Sequence, residues 1–192
     1  FIIFFKSKLS EYDEMVTNNP IFQARMQNVG SITKENAISY GCSGPVARAA
    51  GVTCDVRKLS PYDVYSQVEF TEAIEKEGDC FARYKVRMKE MNESMRIIEQ
   101  LIDNIPEGEF QAKTKAVLKL PKGDFYSNVE TARGDFGVYI ISEGGTTPYR
   151  IKFRSPGFCN LSALDHMARG NKIGDLVAIM GSLDLVIPDI DR

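Results

Sequence analysis

The feature that most constrains the fold is a long amphipathic segment over residues 78–105. Apolar residues recur there at steps of four and three, which places them on one stripe of an α-helix: Tyr84, Met88, Met91, Met95, Ile98, Ile102 and Ile105. The neighbouring row is polar: Asp79, Arg83, Arg87, Glu90 and Ser94. Because this row passes into apolar residues further along, it indicates partial burial with paired charges. A solvated, salt-bridged helix face is the alternative that the pattern leaves open.

Turn signals divide the rest of the chain into shorter elements, with helical patterns before and after a central block of strands. The strand-like segments are 116–120, 125–130, 137–142 and 148–154, and residues 143–147 predict a β-hairpin turn. The predicted fold class is therefore α+β, mainly helical with a small antiparallel β-sheet. A doubly wound sheet is disfavoured because strands do not alternate with helices. The sequence has neither a G-x-G-x-x-G motif nor a P-loop, which disfavours a nucleotide site.

Charge and composition exclude several classes of protein. Lys and Arg number 24 against 26 Asp and Glu, which argues against a nucleic-acid binder with its basic excess. No apolar run approaches the roughly 18 residues of a membrane helix, so the sequence predicts a soluble chain. The cysteines Cys42, Cys54, Cys80 and Cys159 form no C-x-x-C pair and predict reduced thiols in place of a metal site. With His166 as the single histidine, a Ser-His-Asp or Cys-His unit has only that residue to use.

A glycine-rich block over residues 41–51 can wind close to another backbone, because glycine tolerates unusual torsions. No Lys-Ser/Thr pair follows it, so a tight crossing that contacts a partner subunit is favoured over a phosphate cradle. The chain also begins with Phe1 in place of Met, inside a helix-like stretch. That start predicts the C-terminal piece of a longer polypeptide.

Several motifs follow one another in an order that points to a family. The earlier blocks are Gly41-Cys-Ser-Gly-Pro-Val-Ala-Arg48-Ala-Ala-Gly51, Asp55-Val-Arg57-Lys58, Pro61-Tyr62, and Gly78-Asp79 with Arg83, Val86-Arg87, Glu90 and Ser94. The later blocks are Glu130-x-Ala132-Arg133-Gly134-Asp135-x-Gly137-x-Tyr139, Gly144-Gly145-x-x-Pro148-Tyr149-Arg150 and Gly181-Ser182-Leu183-Asp184. Together they resemble the C-terminal half of the D subunit of respiratory complex I, the NADH:quinone oxidoreductase. The resemblance covers nearly the whole chain and implies that residues 1–192 are part of a single domain.

The same family is similar to the large subunit of nickel–iron hydrogenases, whose tail carries D-P-C-x-x-C-x-x-H. Here Asp184 keeps the aspartate, but Val186 and Asp189 stand at the two cysteine positions and Arg192 at the histidine position. Valine has no donor atom for nickel, so the resemblance implies a hydrogenase-like fold without the metal site. In the complex I family, the vacated cavity is implied to be the quinone-binding chamber.

The resemblance also implies roles for individual residues. Those that line or flank the chamber are Arg133, Asp184, Val186, Ile187 and Asp189. Those with structural or partner-facing roles are Arg48, Asp55, Arg57, Asp79, Arg83 and Arg87. Salt bridges are favoured for these arginines over contacts with a partner's iron–sulfur cluster, and Asp55 is expected to pair with one of them. The alternative for Asp184 and Asp189 is that they are simple chain-end carboxylates. No catalytic residue or metal ligand is expected here, because the family's histidine and tyrosine for quinone contact belong to its N-terminal half.

The implied function is that of a quinone-module subunit of NADH:quinone oxidoreductase, with the isolated chain inactive and NADH binding on a different subunit. The chain itself would bind no cofactor. Its implied partners are the missing N-terminal half, an iron–sulfur subunit that delivers electrons and a membrane subunit that admits quinone. The implied location is peripheral, on the cytoplasmic side of the inner membrane.

Two alternatives to this function stay open at the level of the sequence. One is a cofactor-free structural module that organises neighbouring subunits. The other is the equivalent subunit of a quinone reductase that is fed by another electron donor. A hydrogenase large subunit is disfavoured because its cysteines are missing.

Overall fold

A computed structural model describes residues 1–113 and 117–191 of the chain and confirms the predicted α+β class. Its α-helices are α1 (Ile2–Tyr12), α2 (Pro20–Met26), α3 (Lys34–Ser39), α4 (Gly44–Ala49), α5 (Val56–Leu59), α6 (Cys80–Leu101), α7 (Pro156–Ser162), α8 (Leu164–Ala168), α9 (Ile173–Leu183) and α10 (Ile187–Ile190). The strands are β1 (Gly123–Thr131), β2 (Gly134–Ser142) and β3 (Arg150–Arg154). A π-helical turn at Asp13–Thr17 continues α1, and 3-10 turns lie at Tyr65–Gln67 and Ile102–Asn104.

The long helix α6 lies at the centre of the fold. Its first turn is capped by Asp79, whose Oδ1 accepts a hydrogen bond from the Ala82 amide at 2.7 Å. That bond satisfies one of the N–H groups that a helix N-terminus leaves free. α6 packs against α4, α9 and α1. Met88 and Met95 of the apolar stripe are buried, whereas Ile98 near the end of the helix is exposed, as is Ile102 just beyond it. The predicted apolar stripe therefore contributes to the core over only part of its length.

The polar row of α6 is buried in part, so it is not an open, solvated face. Asp79 and Arg83 are buried, and Arg87, Glu90 and Ser94 are half-buried. The charges find their partners outside the row: Arg83 donates to backbone carbonyls, and Glu90 accepts from Arg48 on α4. Of the predicted charge pairs, Glu90 has an ion-pair partner on another element, whereas Arg83 and Arg87 have none among the described residues.

Three antiparallel strands form the sheet in the order β1–β2–β3. β1 and β2 pair in register up to Thr131 opposite Gly134, so Ala132 and Arg133 form the turn between them. β2 and β3 are joined through a connection that includes residues 143–147. The β-hairpin predicted at those residues is therefore confirmed.

The strand predicted at 116–120 is wrong where the structure describes it. Residue 116 lies outside the described residues, and 117–120 form no strand. Val117 and Leu118 are exposed, and β1 begins only at Gly123. Strand propensity depends on packing against neighbouring strands and a core, and these two side chains have been left in solvent.

The glycine-rich block folds into α4, every residue of which is buried. The start of α4 crosses the β1–β2 turn closely: a Cβ atom on Gly44 would lie 2.3 Å from the backbone oxygen of Arg133. In the other direction, a Cβ on Gly134 would lie 2.5 Å from Ser43 Oγ. The predicted tight crossing is thus confirmed. The segment that it crosses is a turn of the same chain.

The main core cluster surrounds α4 and includes Val46, Ala47 and Ile179. All four cysteines, which lie within the described ranges, carry free thiols, as the sequence predicts. Burial raises the pKa of both Cys42 and Cys54 to about 11. Thiolates are therefore rare at these two positions near neutral pH.

Candidate functional site

The tail of the chain meets the β1–β2 turn through Asp184 and Arg133. Asp184 follows α9 in a left-handed conformation with φ of 53°, which turns the backbone out of the helix. Arg133 Nε lies 3.0 Å from the backbone oxygen of Asp184, to which it donates, and 3.3 Å from its carboxylate Oδ2. These two residues are 51 positions apart in the sequence, and both were predicted to lie at one site. The structure brings them into direct contact.

An apolar groove of about 610 Å³ begins beside this contact. Its lining comes from the π-helical turn, α2, α6, α9 and the residue after α9: Val16, Phe22, Met26, Cys80, Tyr84, Arg87, Val177, Ala178, Gly181, Ser182 and Asp184. Most of these side chains are apolar, and the charged ones are Arg87 and Asp184. A concave apolar surface with a few polar groups is the usual form of a site for a small organic ligand.

A second cavity of about 450 Å³ is lined mainly by polar and charged side chains. Its lining is Arg48, Arg57, Arg87, Glu90, Met91, Ser94, Glu130, Thr131, Ala132 and Asp184. Arg87 and Asp184 belong to the walls of both cavities. The two spaces therefore adjoin at these residues, one apolar and the other polar.

Arg48 connects three elements inside the polar cavity. Its Nε donates to Glu90 Oε1 at 2.7 Å and its Nη1 donates to Glu130 Oε1 at 2.8 Å. The other carboxylate oxygen of Glu130 accepts from the Val56 amide at 3.1 Å. Arg48 is only 2% exposed. Burial opposes its charge, but Glu90 and Glu130 outweigh that effect and raise the pKa of Arg48.

Two arginines of α6 carry charge without a carboxylate partner at ion-pair distance among the described residues. Arg83 is fully buried and donates to the backbone oxygens of Gly78 at 2.8 Å and Gly30 at 3.0 Å. Arg87 donates to the backbone oxygen of Arg83 at 3.1 Å. Burial lowers the pKa of Arg87, while the more distant Asp184 opposes that shift. Arginine stays protonated across the physiological range, so Arg87 is a cation at the junction of the two cavities.

The other residues predicted to be structural lie inside the chain. Asp55 Oδ2 accepts from Arg57 Nη2 at 2.7 Å. Burial opposes the charge of Asp55, but Arg57 outweighs it and lowers the pKa of that carboxyl. Asp79 accepts from the Asn28 amide at 2.7 Å in addition to capping α6. Asp55 and Asp79 are both buried by other residues of this chain.

Glu90 and Glu130 are the site residues that sequence reasoning did not single out. Both occur in the motif blocks, yet their meeting with Arg48 spans 42 and 82 positions respectively. No spacing rule connects positions so far apart. A buried arginine does require anionic partners, so the motif glutamates were the available signal.

The described residues contain no group of three or more His, Cys, Asp or Glu side chains placed to hold a metal ion. Among the helices in those same ranges, none has both the length and the apolar composition needed to cross a bilayer.

Comparison with known proteins decides the family. The family model described as "Respiratory-chain NADH dehydrogenase, 49 Kd subunit" matches the chain in two overlapping segments, residues 1–119 and 112–192. The chain belongs to this family. The match includes α4, α6, the sheet and the tail, and so covers both cavities.

Curated relatives of this NADH dehydrogenase family agree over the whole chain. The C/D subunit of NADH-quinone oxidoreductase from Phocaeicola vulgatus is 53% identical over 192 residues, which are 37% of that protein. The D subunit of the Desulfotalea psychrophila enzyme is 49% identical over 193 residues, or 52% of its length. The H subunit of NAD(P)H-quinone oxidoreductase from a Synechococcus strain is 40% identical over 216 residues, or 55% of its length. The chain thus spans between about a third and a little over half of these relatives.

In this member of the family, the tail beyond Asp184 is held on α7. Asp189 Oδ2 accepts from the Gly157 amide at 2.8 Å, and Ser155 Oγ donates to the Asp189 backbone oxygen. Ile187 is exposed and Val186 is half-buried. These tail residues, Asp189 included, are not among those that line the two cavities. Of the residues predicted for the chamber, Asp184 therefore lies in the walls of both cavities, and Arg133 contacts Asp184. Arg192 lies outside the described residues.

Proposed function

We propose that this chain forms one wall of the quinone chamber of an NADH:quinone oxidoreductase, with the apolar groove receiving the quinone. The observation that carries this proposal is the position of Asp184. It joins the tail to the Arg133 turn at the point where the apolar groove meets the polar cavity. The names of the relatives support the reaction, because they describe subunits of quinone oxidoreductases.

The chemistry of quinone reduction fits the two ends of the groove. A quinone has an apolar ring and tail, and its two carbonyl oxygens gain negative charge as electrons arrive. An apolar groove suits the ring or tail. Arg87, a cation without a carboxylate at ion-pair distance among the described residues, lies in the groove wall and would stabilise the developing charge. Asp184 would then line the chamber near its polar end, and Val186, Ile187 and Asp189, which line neither cavity of this chain, would flank it.

The remaining parts of the reaction belong to other components in this proposal. The chamber is completed by the rest of this polypeptide, electrons come from an iron–sulfur subunit, and quinone enters through a membrane subunit. NADH is oxidised elsewhere in the complex, which lies with this chain on the cytoplasmic side of the inner membrane. The chain alone binds no cofactor and reduces no quinone.

Gly181→Phe in the full-length subunit tests this use of the groove. Gly181 is on α9 in the groove wall, and a Cβ atom there would have nothing within 4 Å, so a larger side chain enters the groove without a backbone clash. We expect the assembled complex to show a KM for quinone raised roughly tenfold or more, which is about 1.4 kcal/mol of lost binding. Steady-state kinetics with a soluble quinone analogue measures this change.

Gly174→Phe is the matched control, because Gly174 is also on α9 with open space around its Cβ but is not in the groove wall. It should leave the KM for quinone unchanged. The proposal fails if Gly181→Phe gives wild-type kinetics. It also fails if that variant alone prevents assembly, since the groove would then be an interface with another part of the complex.

A further inference from the structure

The polar cavity contains two carboxylates that share one cation. Arg48 donates to Glu90 Oε1 through Nε at 2.7 Å and to Glu130 Oε1 through Nη1 at 2.8 Å. The side chain of Glu130 is 4% exposed, and that of Glu90 is 21% exposed. With both carboxylates ionised, this cluster of three side chains would carry one excess negative charge at a place largely shielded from bulk solvent. Burying such a charge is costly, and adding one proton removes the cost.

The charged groups around the pair balance that excess in number through Arg87, but no ion pair joins Arg87 to either glutamate among the described residues. Those that face it or its arginine are Arg57, Asp55 and Cys54 from the α5 side, Arg87 from α6, and Asp184 with Arg133 from the tail and the turn. Arg57 forms an ion pair with Asp55, and Arg133 forms one with Asp184. Arg87 is the nearest remaining cation of Glu90, but within the described chain it forms no ion pair with that carboxylate.

Burial raises the pKa of both Glu90 and Glu130; Glu130 adds to the shift of Glu90, and Asp55 adds to that of Glu130. Arg48 opposes this shift in both cases. Because both carboxyls bind the same arginine, protonation of one changes the charge that is shared with the other, so the proton is assigned to the pair and not to either residue alone.

The cavity continues from the pair to the groove. Glu90 and Glu130 line it, and so do Arg87 and Asp184, which also line the apolar groove. Ser94 and Thr131 supply further polar side chains to its wall. The space of about 450 Å³ is large enough for several water molecules, which would relay a proton between these groups.

We propose that Glu90 and Glu130 together hold one exchangeable proton and deliver it through the polar cavity, past Asp184, to the reduced ligand in the apolar groove. That the ligand accepting the proton is a quinone rests on the proposed function. A quinone takes two electrons from the iron–sulfur donor and forms two new O–H bonds. This pair supplies one of the two protons, and solvent supplies the other. The pair is left doubly ionised on Arg48 and regains its proton from water in the cavity.

Infrared difference spectroscopy of the assembled complex, with the pH stepped around neutrality, tests whether the proton exists. The wild type should show the absorption of one protonated glutamate that titrates, and ¹³C-labelled glutamate should shift that band. Glu90→Gln and Glu130→Gln should each abolish it, because the remaining carboxylate then has Arg48 to itself and stays ionised. Glu75→Gln is the control: Glu75 pairs with Lys85 and Lys89 outside the cavity, and its loss should leave the band unchanged.

The wild-type spectrum decides the proposal even if a variant fails to assemble. Absence of a titrating, ¹³C-sensitive glutamate band overturns it, as does a band that survives in both glutamine variants. Delivery to the ligand is tested by the pH profile of quinone reduction. The alkaline decline expected of the wild type should be lost in each glutamine variant, and an unchanged profile would contradict the delivery step. Because the band is measured without quinone, its outcome is independent of whether the groove binds quinone.

Discussion

Replacing Arg48 by Met is expected to lower the free energy of unfolding by about 3–5 kcal/mol, the usual cost of removing one partner from a buried ion pair. Methionine keeps an unbranched side chain of similar length, so the loss isolates the charge from the packing. Glu90 and Glu130 would be left without their cation, and Glu130 is almost fully buried. Urea unfolding followed by circular dichroism measures the change.

The pH dependence of this loss has a definite sign. Without Arg48, both buried carboxyls hold protons more tightly in the folded state than in the unfolded chain. Their stabilising effect is therefore present at low pH and is lost as the pH rises. The deficit of Arg48→Met should accordingly be larger at pH 8 than at pH 5.

Two further variants control the Arg48 experiment. Adding Glu90→Leu and Glu130→Leu to Arg48→Met should recover much of the lost stability, since apolar groups replace the orphaned charges. Arg169→Met removes an ion pair with Asp165 that is exposed on both sides, and it should leave stability nearly unchanged. Equal losses from Arg48→Met and Arg169→Met would contradict the account of a buried network.

Gly44→Ala is expected to be strongly destabilising. Gly44 has φ of +62°, which costs a residue with a Cβ roughly 1–2 kcal/mol. The new methyl would also lie 2.3 Å from the Arg133 backbone oxygen and 2.6 Å from Gly134 Cα. Relief requires the turn to move, at an overpacking cost of about 1–3 kcal/mol. Unfolding experiments should therefore show a loss of roughly 2–5 kcal/mol.

Gly41→Ala separates the two causes, because Gly41 has φ of +66° but a Cβ there would meet nothing within 4 Å. It should cost only the conformational part, about 1–2 kcal/mol. If the two alanine variants lose the same stability, the close crossing of α4 and the β1–β2 turn contributes nothing. Since Arg133 holds Asp184, Gly44→Ala should also reduce quinone reduction by the assembled complex, whereas Gly41→Ala should not.

The elements that follow local rules could be predicted from the sequence. The spacing of apolar residues predicts the long helix, and the paired glycines after β2 predict the β2–β3 hairpin. The polar row was predicted to be partly buried because it runs into apolar residues, and Arg83 is indeed fully buried. What spacing could not show is that Arg83 is satisfied by backbone oxygens of Gly30 and Gly78 and not by a carboxylate.

The strand predicted at 116–120 is wrong over 117–120, and the segment that the glycine block crosses was not identified, for the same reason. Each depends on what the rest of the chain places beside a segment. Val117 and Leu118 have strand-forming patterns but no paired strand, so they are exposed. Gly44 does make a close crossing, but sequence alone offered no means of identifying the Arg133 turn as the segment that it crosses.

Only part of the candidate site could be predicted from the sequence. Asp184 and Arg133 were predicted to share a site through a family resemblance, and they are in contact. Ile187 and Asp189 follow Asp184 closely in sequence, yet the left-handed turn at Asp184 directs the tail toward α7. A single backbone conformation thus sets Ile187 and Asp189 apart from the two cavities of this chain, although the resemblance placed them with Asp184.

Photoaffinity labelling of the assembled complex with an azido-quinone tests the central claim most directly. We predict that mass spectrometry will find the label on α6 and α9, at the residues that line the apolar groove, and that excess unlabelled quinone will compete it away. Competable labelling of this subunit at sites outside that groove, with α6 and α9 unmodified, would contradict the claim.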